Sequence, residues 1–292
     1  FESIWVAIIL AFVLRAFIVE AFVIPTGSMA PRLMGAHVQL QCQWCATEFP
    51  FGIHGSAAQA VAVTAVPARC PNCLQLSTWN NQRVRSGDRV LVLKYLHHFR
   101  QPRRWDVIVF KNPQNNHENY IKRLVGLPGE IVRIIHGDVF VYPLNDTNGD
   151  GVRDENDLAL PTGKTLADLD GWQIARKDHA TQQAMWQNIF DNDYQPTQPG
   201  HVTPAWLAAP EAQGWNLGLN GGRVFAFDGR GEGTLQFAPD NPDVFLAANA
   251  YNPGGKRQGN LNSNDLCSDL KLETTIKPQA PGGTVRLTLS NF

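Results

Sequence analysis

The sequence has few cysteines, almost no net charge and no long uninterrupted hydrophobic run. Five cysteines in 292 residues are too few for a fold built on disulfides. The formal net charge of −1 gives no electrostatic reason to expect a nucleic acid as a partner. No repeat and no low-complexity tract is present. With 43% hydrophobic and 17% charged residues, the chain is nevertheless typical of a globular protein of one to three domains.

An apolar segment opens the chain. Residues 4–14 are wholly apolar, and Arg15 and Glu20 follow. Because a helix needs about 20 apolar residues to span a bilayer, the uncharged run is too short by itself. It is either a buried core helix or the outer part of a membrane anchor over residues 1–24, with both charges near the lipid–water boundary. We favour the anchor and expect the chain to start inside it. A cleavable signal peptide is disfavoured because no small-residue cleavage site follows.

Beyond the anchor, short β-branched runs alternate with tight turns. Such runs cover residues 89–93, 106–110, 120–125, 131–135 and 138–142. Short strands joined by Gly-containing turns predict a mainly β core, a barrel or a sandwich. Residues 158–292 are expected to form an insertion with a helical segment and a second β-sandwich-like region. Its strand-like runs are residues 222–227, 243–246 and 284–289.

Ser28 is a candidate nucleophile because of its surroundings. It follows the apolar segment on the rigid approach of residues 25–27, close to where a peptide would leave a membrane. A serine hydroxyl is a weak nucleophile and needs a neighbouring base. Lys122 is the candidate base, because none of the eight histidines lies in a comparable strand-and-turn setting. Strand alternation places Lys122 on one face with Tyr120 and Leu124, and an apolar environment favours the neutral lysine that Ser-Lys hydrolases require. The alternatives are an ordinary turn serine and a solvated strand lysine.

Three ordered segments resemble the sequence boxes of type I signal peptidases. The nucleophile box is residues 25–31, the next is residues 86–94, and the lysine box is residues 122–130, preceded by residues 104–110. The resemblance covers residues 10–36 and 84–142. It implies a signal-peptidase-type β-barrel or sandwich core behind an N-terminal membrane helix, with the catalytic core formed by residues 25–36 and 81–145.

The resemblance also implies a role for individual residues. Ser28 would attack the scissile carbonyl of a secretory preprotein's signal peptide, and Lys122 would be the general base. The Ser28 backbone N–H and the Thr26 hydroxyl would form the oxyanion hole. The expected substrate-binding residues are Met29, Val107, Ile108 and Val109. Catalysis would need no cofactor, and the partners would be signal peptides and the lipid bilayer. The expected location is the cytoplasmic membrane, with one anchor and an extracytoplasmic catalytic domain.

The last family box, a Gly-Asp-Asn run followed by Ser-x-Asp-Ser-Arg, has only a faint counterpart at residues 262–269. That box supplies a serine that orients the lysine, and we expect it beyond Phe292. One alternative is therefore a membrane-anchored binding protein with a vestigial peptidase core, which the intact Thr26, Ser28 and Lys122 disfavour. Another is a Ser-Lys protease acting on regulatory proteins such as self-cleaving repressors, which the anchor and the lysine box disfavour.

Two Cys-x-x-Cys pairs predict a metal site in an inserted segment, residues 37–80. Four thiolates with this spacing form a zinc ribbon, in which Zn²⁺ is bound in a structural tetrahedron. The expected ligands are Cys42, Cys45, Cys70 and Cys73. A pair of disulfides is the alternative if the segment lies outside the cytoplasm. We favour zinc because paired knuckles are a ligand pattern.

Residues 146–157 fit a calcium-binding loop. Oxygen ligands fall at positions one, three, five, nine and twelve, with glycine at the sixth and a carbonyl available at the seventh. The pattern resembles the dockerin-type loop, which ends in Asp. A solvated acidic turn is the alternative. The predicted ligands are Asp146, Asn148, Asp150, Val152, Asp154 and Asp157.

Overall fold

The structure of the protein is a computed structural model. It describes residues 2–24, 26–147, 152, 165, 170–196, 206–209, 213–228, 231–237, 270–279 and 282–289. The chain divides into two compact units. The first comprises residues 1–124 with 178–260, and the second comprises residues 125–177 with 261–292.

The N-terminal helix is exposed. Helix α1 spans Glu2–Val13, and a π-helical segment continues it over Leu14–Ile18. The Phe12 and Phe17 side chains are 67% and 71% exposed. A buried core helix is therefore the wrong alternative for this segment. In the described part of the chain, no helix combines the length and the apolar character needed to cross a bilayer.

The prediction of one helix over residues 1–24 is wrong at its end. Strand β1 covers Val19–Val23 and pairs antiparallel with β6, Arg89–Leu93. Residues of β1 such as Val19 and Phe22 favour extended backbone, and pairing with β6 satisfies their backbone groups. The change from helix to strand therefore lies just ahead of the segment that carries Ser28.

The remaining elements are mostly short strands joined in antiparallel pairs. The next strands are β2 His37–Gln41, β3 Glu48–Gly52, β4 Ala62–Arg69 and β5 Leu76–Arg83. After β6 come α2 Leu96–Phe99, β7 Val107–Asn112, β8 Asn115–Arg123, β9 Glu130–Ile135, β10 Asp138–Pro143 and β11 Gln173–Ile174. The last elements are α3 His179–Met185, β12 Trp206–Ala208, β13 Trp215–Leu219, β14 Val224–Phe227 and β15 Leu235–Phe237.

The mainly β prediction is confirmed, but the barrel is not closed. Among the residues described, the strands form one three-stranded sheet, β11-β10-β9, and six two-stranded sheets. In the predicted second β region, β12 pairs with β15 and β13 pairs with β14. The strand predicted over residues 284–289 is wrong, because these residues are exposed and pair with no described strand. The run at residues 243–246 lies outside the described residues.

The buried core of the first unit lies in residues 37–83, here called the cysteine module. Two hairpins, β2–β3 and β4–β5, supply its apolar side chains, and the four paired cysteines are buried among them. Phe49 and Trp79 pack edge to face with ring centroids 5.8 Å apart. Trp79 Nε1 donates to the Gln41 carbonyl at 2.8 Å, which joins β5 to the end of β2. The module therefore has a packed interior of its own around the thiols.

Candidate active site

The β7–β8 hairpin positions Lys122. In its register Ile108 lies opposite Lys122 and Phe110 lies opposite Tyr120, so these four side chains share one face. The hairpin is closed at its base by Trp105, whose N–H donates to the Leu124 carbonyl at 2.8 Å. This register fixes the position of Lys122 along the hairpin and the face of the hairpin toward which it points.

Arg123 lies on the opposite face of β8 and completes the base of that hairpin. Its Nη1 donates to the Trp105 carbonyl at 2.9 Å. Burial lowers the pKa of the Arg123 guanidinium, and nearby Asp178 opposes that effect. Since arginine remains charged well above neutral pH, Arg123 acts here as a fixed cation that ties β8 to Trp105.

Ser28 lies on a tight turn between β1 and the cysteine module. The Ala30 N–H donates to the Gly27 carbonyl at 2.9 Å, and the Leu33 N–H donates to the Met29 carbonyl at 3.0 Å. Gly27 is buried beneath the turn, whereas Ser28 is exposed. These two hydrogen bonds hold a turn that presents the Ser28 side chain to solvent.

The two predicted catalytic side chains meet. Lys122 Nζ lies 2.7 Å from Ser28 Oγ and also donates to the Ile121 carbonyl at 2.9 Å. The same nitrogen lies 5.4 Å from the centroid of the Tyr120 ring. A nucleophile and a base within hydrogen-bond reach, with the base oriented by further groups, is the arrangement that activates a hydroxyl. The hydrogen bond and the ring therefore fix Lys122 beside Ser28.

Only some of the other predicted site residues lie beside Ser28 or on the same face as Lys122. Thr26 is exposed two residues before Ser28, and Met29 follows it half-buried. Ile108 shares the face of Lys122, whereas Val107 and Val109 point to the other face of the hairpin. The roles of these five residues in binding or oxyanion stabilisation remain predictions.

Two aromatic residues beside Lys122 received no role from the sequence. Phe110 and Tyr120 pack edge to face with centroids 6.1 Å apart, and the Tyr120 hydroxyl accepts from Asn112 Nδ2 at 3.1 Å. Tyr120 lies two residues before Lys122 on the strand, and this spacing alone identifies it as a neighbour on the same face. Phe110 can be identified as a neighbour of this face only once the register between β7 and β8 is known.

The four predicted metal ligands form a compact buried cluster. Their sulfur atoms all lie within 4.8 Å of one another. The Cys42 and Cys73 sulfurs are 3.5 Å apart, and those of Cys45 and Cys70 are 3.6 Å apart. A tetrahedron of thiolates around Zn²⁺ has sulfur–sulfur edges of about 3.8 Å, whereas a disulfide bond is about 2.05 Å long. The four thiols are free, and their spacing fits a tetrahedral metal ion.

The two Cys-x-x-Cys turns have the same backbone geometry. The Ala46 N–H donates to the Cys42 carbonyl, and the Leu74 N–H donates to the Cys70 carbonyl, both at 3.0 Å. Ala46 and Leu74 each adopt a φ of 62°. This left-handed conformation is uncommon outside glycine, and its occurrence in both turns indicates that they have the same function. Each turn directs two sulfurs inward.

Hydrogen bonding within the cluster shifts the thiol pKa values in opposite directions. Hydrogen bonds from its neighbours, Cys42 first, lower the pKa of Cys45. Hydrogen bonds with Cys42 and the other cysteines, together with burial, raise the pKa of Cys70. A divalent cation would displace the thiol protons and hold all four sulfurs as thiolates. The donor set therefore fits zinc chemically as well as geometrically.

The predicted calcium loop lies largely outside the described residues. Of its six proposed ligands, only Asp146 and Val152 are described. The other four, Asn148, Asp150, Asp154 and Asp157, lie outside the described residues.

Comparisons with known proteins point to one family. Residues 57–188 match the family model described as signal peptidase, peptidase S26. This range contains Lys122 and begins after Ser28. No solved structure matches the chain.

Curated relatives carry the same description. The chain is 30% identical over 130 residues to "Signal peptidase I" of Buchnera aphidicola subsp. Baizongia pistaciae (strain Bp), covering 44% of this chain and 29% of the relative. It is 31% identical over 133 residues to "Signal peptidase I" of Pseudomonas fluorescens, covering 45% and 33%. With the protein of that name from Leptolyngbya laminosa it shares 44% identity over 63 residues, covering 19% and 30%. The chain spans about a third of the length of these relatives. It is thus similar to signal peptidase I over less than half of its own length.

Proposed function

We propose that this protein is a signal peptidase I, a membrane-bound serine endopeptidase that removes signal peptides from secretory preproteins. The observation that carries the proposal is the 2.7 Å contact between Ser28 Oγ and Lys122 Nζ. The match to the peptidase S26 model supports the same reaction class. Catalysis needs no cofactor in this scheme, because the nucleophile and its base are both side chains.

The proposed reaction is an acyl transfer in two steps. Ser28 Oγ attacks the scissile carbonyl carbon while neutral Lys122 takes the hydroxyl proton. The Ser28 N–H and the Thr26 hydroxyl stabilise the resulting oxyanion. Lys122 then protonates the leaving amine as the C–N bond breaks, which leaves an ester on Ser28. Water, deprotonated by Lys122, hydrolyses that ester and the proton returns to Ser28.

Exposed apolar side chains in the segments that precede and pair with β1 support a location at a lipid surface. Leu91 on β6 is 73% exposed, and Phe17 precedes β1 in the exposed helical segment. Large apolar side chains left exposed in this way are expected where a protein meets a membrane or a partner. We place the helical segment in the outer part of a cytoplasmic-membrane anchor. Ser28 would then face the extracytoplasmic side, where a signal peptide leaves the bilayer.

Two ions are proposed to support the fold. A structural Zn²⁺ bound by Cys42, Cys45, Cys70 and Cys73 accounts for four free, buried thiols at tetrahedral spacing. A Ca²⁺ bound by residues 146–157 accounts for the order of oxygen ligands in that sequence. Calcium titration should raise the thermal stability of the protein, and Asp146→Ala should remove that effect. An unchanged melting curve on titration would eliminate the calcium site.

The test of the proposed activity uses the full-length protein in detergent and a preprotein with an Ala-x-Ala cleavage site. Wild type is compared with Ser28→Ala and Lys122→Met by mass spectrometry of the products. We expect cleavage after the second alanine of the site by wild type and by neither variant. If intact wild type leaves the preprotein uncut, the peptidase assignment fails and a membrane-anchored binding protein with a vestigial core becomes the leading alternative.

A further inference from the structure

Asp88 closes both ends of the segment that carries Ser28. Its backbone carbonyl accepts from the Ile24 N–H at 2.8 Å, and its own N–H donates to the Met34 carbonyl at 2.8 Å. Its side-chain Oδ2 accepts from the Met34 N–H at 2.7 Å. One residue thus binds the chain just before the nucleophile turn and just after it. The segment from Ile24 to Met34 is thereby held as a closed loop, here called the nucleophile loop.

Two glycines allow the backbone to approach closely under this loop. A Cβ on Gly35 would lie 2.5 Å from the Thr26 carbonyl carbon, and a Cβ on Gly87 would collide with the Ile24 carbonyl oxygen. Both contacts are with backbone, which cannot swing aside as a side chain could. Any side chain at either position would push the nucleophile loop away from Asp88.

The first residue of the cysteine module pairs with a residue just beyond its end. His37 and Arg85 form a two-way bridge, with N–H to carbonyl distances of 3.1 Å and 2.7 Å. His37 is buried, and its Nδ1 lies 2.9 Å from the Gly35 carbonyl. The start of the module and the chain just after it are therefore joined to each other directly beside the nucleophile loop.

Strands β2 and β5 connect the His37–Arg85 bridge to the thiols. Strand β2 runs from His37 to Gln41, next to Cys42, and β5 leads from the turn containing Cys73 back to Arg83. The Cys42 and Cys73 sulfurs are 3.5 Å apart. A metal ion bound by these two sulfurs would therefore hold together the ends of β2 and β5 that lie next to the cysteines. The opposite ends of the same two strands lie beside the nucleophile loop.

We propose that Asp88 is a positioning residue for Ser28, and that Zn²⁺ bound by the four cysteines stabilises this position through β2 and β5. The metal touches no substrate in this arrangement. Its effect on cleavage, which rests on the proposed function, acts through the geometry of the nucleophile loop. Cleavage is therefore metal-dependent although the reaction itself uses no metal.

The direct test is hydrogen–deuterium exchange on the full chain, loaded with Zn²⁺ or stripped by a chelator. We expect stripping to raise exchange about tenfold at the amides of the nucleophile loop, including Ile24 and Met34, as well as inside the module. Faster exchange confined to residues 38–83 would overturn the proposal. This readout is independent of cleavage, so it stands even if the proposed peptidase activity fails.

Asn72 supplies the matched control, because it links the module to a different segment. Its Nδ2 donates to the Tyr194 carbonyl at 2.8 Å, and its Oδ1 accepts from the Asp191 N–H at 2.5 Å. Because Asn72 lies between Cys70 and Cys73, the zinc content of Asn72→Ala is measured first. In the zinc-loaded variant, exchange should rise at residues 191–194 and stay unchanged in the nucleophile loop. Equal effects at both places would mean general loosening of the first unit, which contradicts a specific connection.

Substitution of Asp88 separates positioning from folding. Asp88→Ala removes the Oδ2 acceptor and should lower kcat by about 10- to 100-fold with little change in KM. Asp88→Asn keeps a side-chain oxygen for the Met34 N–H and should restore most of that loss. In Asp88→Ala the nucleophile loop should also exchange fast with or without Zn²⁺. Wild-type kcat in Asp88→Ala, or no rescue by Asp88→Asn, would refute the positioning role.

Discussion

Ser28 and Lys122 are 94 positions apart in the sequence, and their side chains meet in a hydrogen bond of 2.7 Å between Oγ and Nζ. The bond joins a turn after β1 to the end of the β7–β8 hairpin. Neither element alone would bring the two side chains together. The contact depends on the base of the hairpin at Trp105 and on the closure of the nucleophile loop by Asp88.

Replacing Lys122 by arginine tests whether it serves as a base or only as a cation. The guanidinium would keep the positive charge and hydrogen-bonding capacity but could not give up its proton near neutral pH. We expect the Lys122→Arg variant to lose about 10²- to 10⁴-fold in kcat, the range that general-base catalysis contributes. The measurement is the single-turnover rate on the Ala-x-Ala preprotein, with circular dichroism to confirm the fold.

Lys94 is the matched control for that substitution. It forms a surface ion pair with Glu20 at 3.2 Å on the β1–β6 sheet and makes no described contact with Ser28. Lys94→Arg should retain cleavage close to wild type. An active Lys122→Arg enzyme would show that Lys122 does not accept the proton, and another base would have to be found.

The Thr26 hydroxyl is expected to stabilise the oxyanion. Thr26→Val keeps the shape of the side chain and removes its donor, so kcat should fall by about 10²- to 10³-fold with KM little changed. Thr26→Ser keeps the donor and should stay within about tenfold of wild type by the same argument. A fall in affinity with unchanged kcat in Thr26→Val would assign the hydroxyl to substrate binding instead.

Local patterns in the sequence predict much of the strand content. The predicted run at residues 89–93 matches β6, and the predicted runs at 131–135 and 138–142 match β9 and β10 within a residue or two. Alternating β-branched residues and glycine turns carry this information locally. The spacing of Cys42, Cys45, Cys70 and Cys73 likewise predicts the sulfur cluster, because one tight turn is enough to bring the two sulfurs of each pair to the same side.

Features that depend on distant partners could not be read from the sequence. The end of the N-terminal helix at Ile18 depends on pairing of β1 with β6, about 70 residues later. Residues 284–289 alternate as a strand does, yet find no partner among the described strands. Asp88 lies in the box at residues 86–94, but that box does not reveal its partners. Its three contacts with Ile24 and Met34 form because the cysteine module returns the chain to its starting point.

Purified protein should contain about one zinc ion per chain, since four thiolates complete a tetrahedral site. Cys45→Ser should lose the metal and lower the melting temperature, because zinc binding contributes directly to folding. Acidification should release zinc, as the ligands must be deprotonated. Elemental analysis and thiol titration check this prediction. Zinc-free protein with all four thiols oxidised would favour the disulfide alternative.

Asp106 should make a small, pH-dependent contribution to stability. The Arg103 N–H, donating at 2.8 Å, lowers the pKa of the Asp106 carboxyl, and Arg100 adds to the effect from 2.8 Å. A lowered folded-state pKa means that the stabilisation is present above the unfolded value, about 3.9, and is lost as the pH falls through the folded value.

Asp106→Asn should therefore lower the melting temperature at pH 7 and have less effect near pH 3. Because the carboxylate is about one-third exposed, solvent screening limits the expected loss to about 0.5–1 kcal/mol. Glu48→Gln, which changes an exposed carboxylate on β3 with no described ion pair, is the control. A difference between Asp106→Asn and wild type that is equal at both pH values would show that the carboxylate charge is not responsible.

The exposed N-terminal helical segment should bind lipid. Trp5 and Phe12 are 65% and 67% exposed, and burying a large apolar side chain contributes about 1.5–3 kcal/mol. The double variant Trp5→Asp/Phe12→Asp should therefore reduce partitioning into phosphatidylglycerol–phosphatidylcholine vesicles by at least about 100-fold in a flotation assay. Val61→Asp is the matched control, since Val61 is 82% exposed but belongs to the cysteine module. Equal loss in both variants would mean that general surface hydrophobicity drives binding. Unchanged flotation of the double variant would place the lipid contact elsewhere, and the exposed face of β6 around Leu91 would be the next surface to alter.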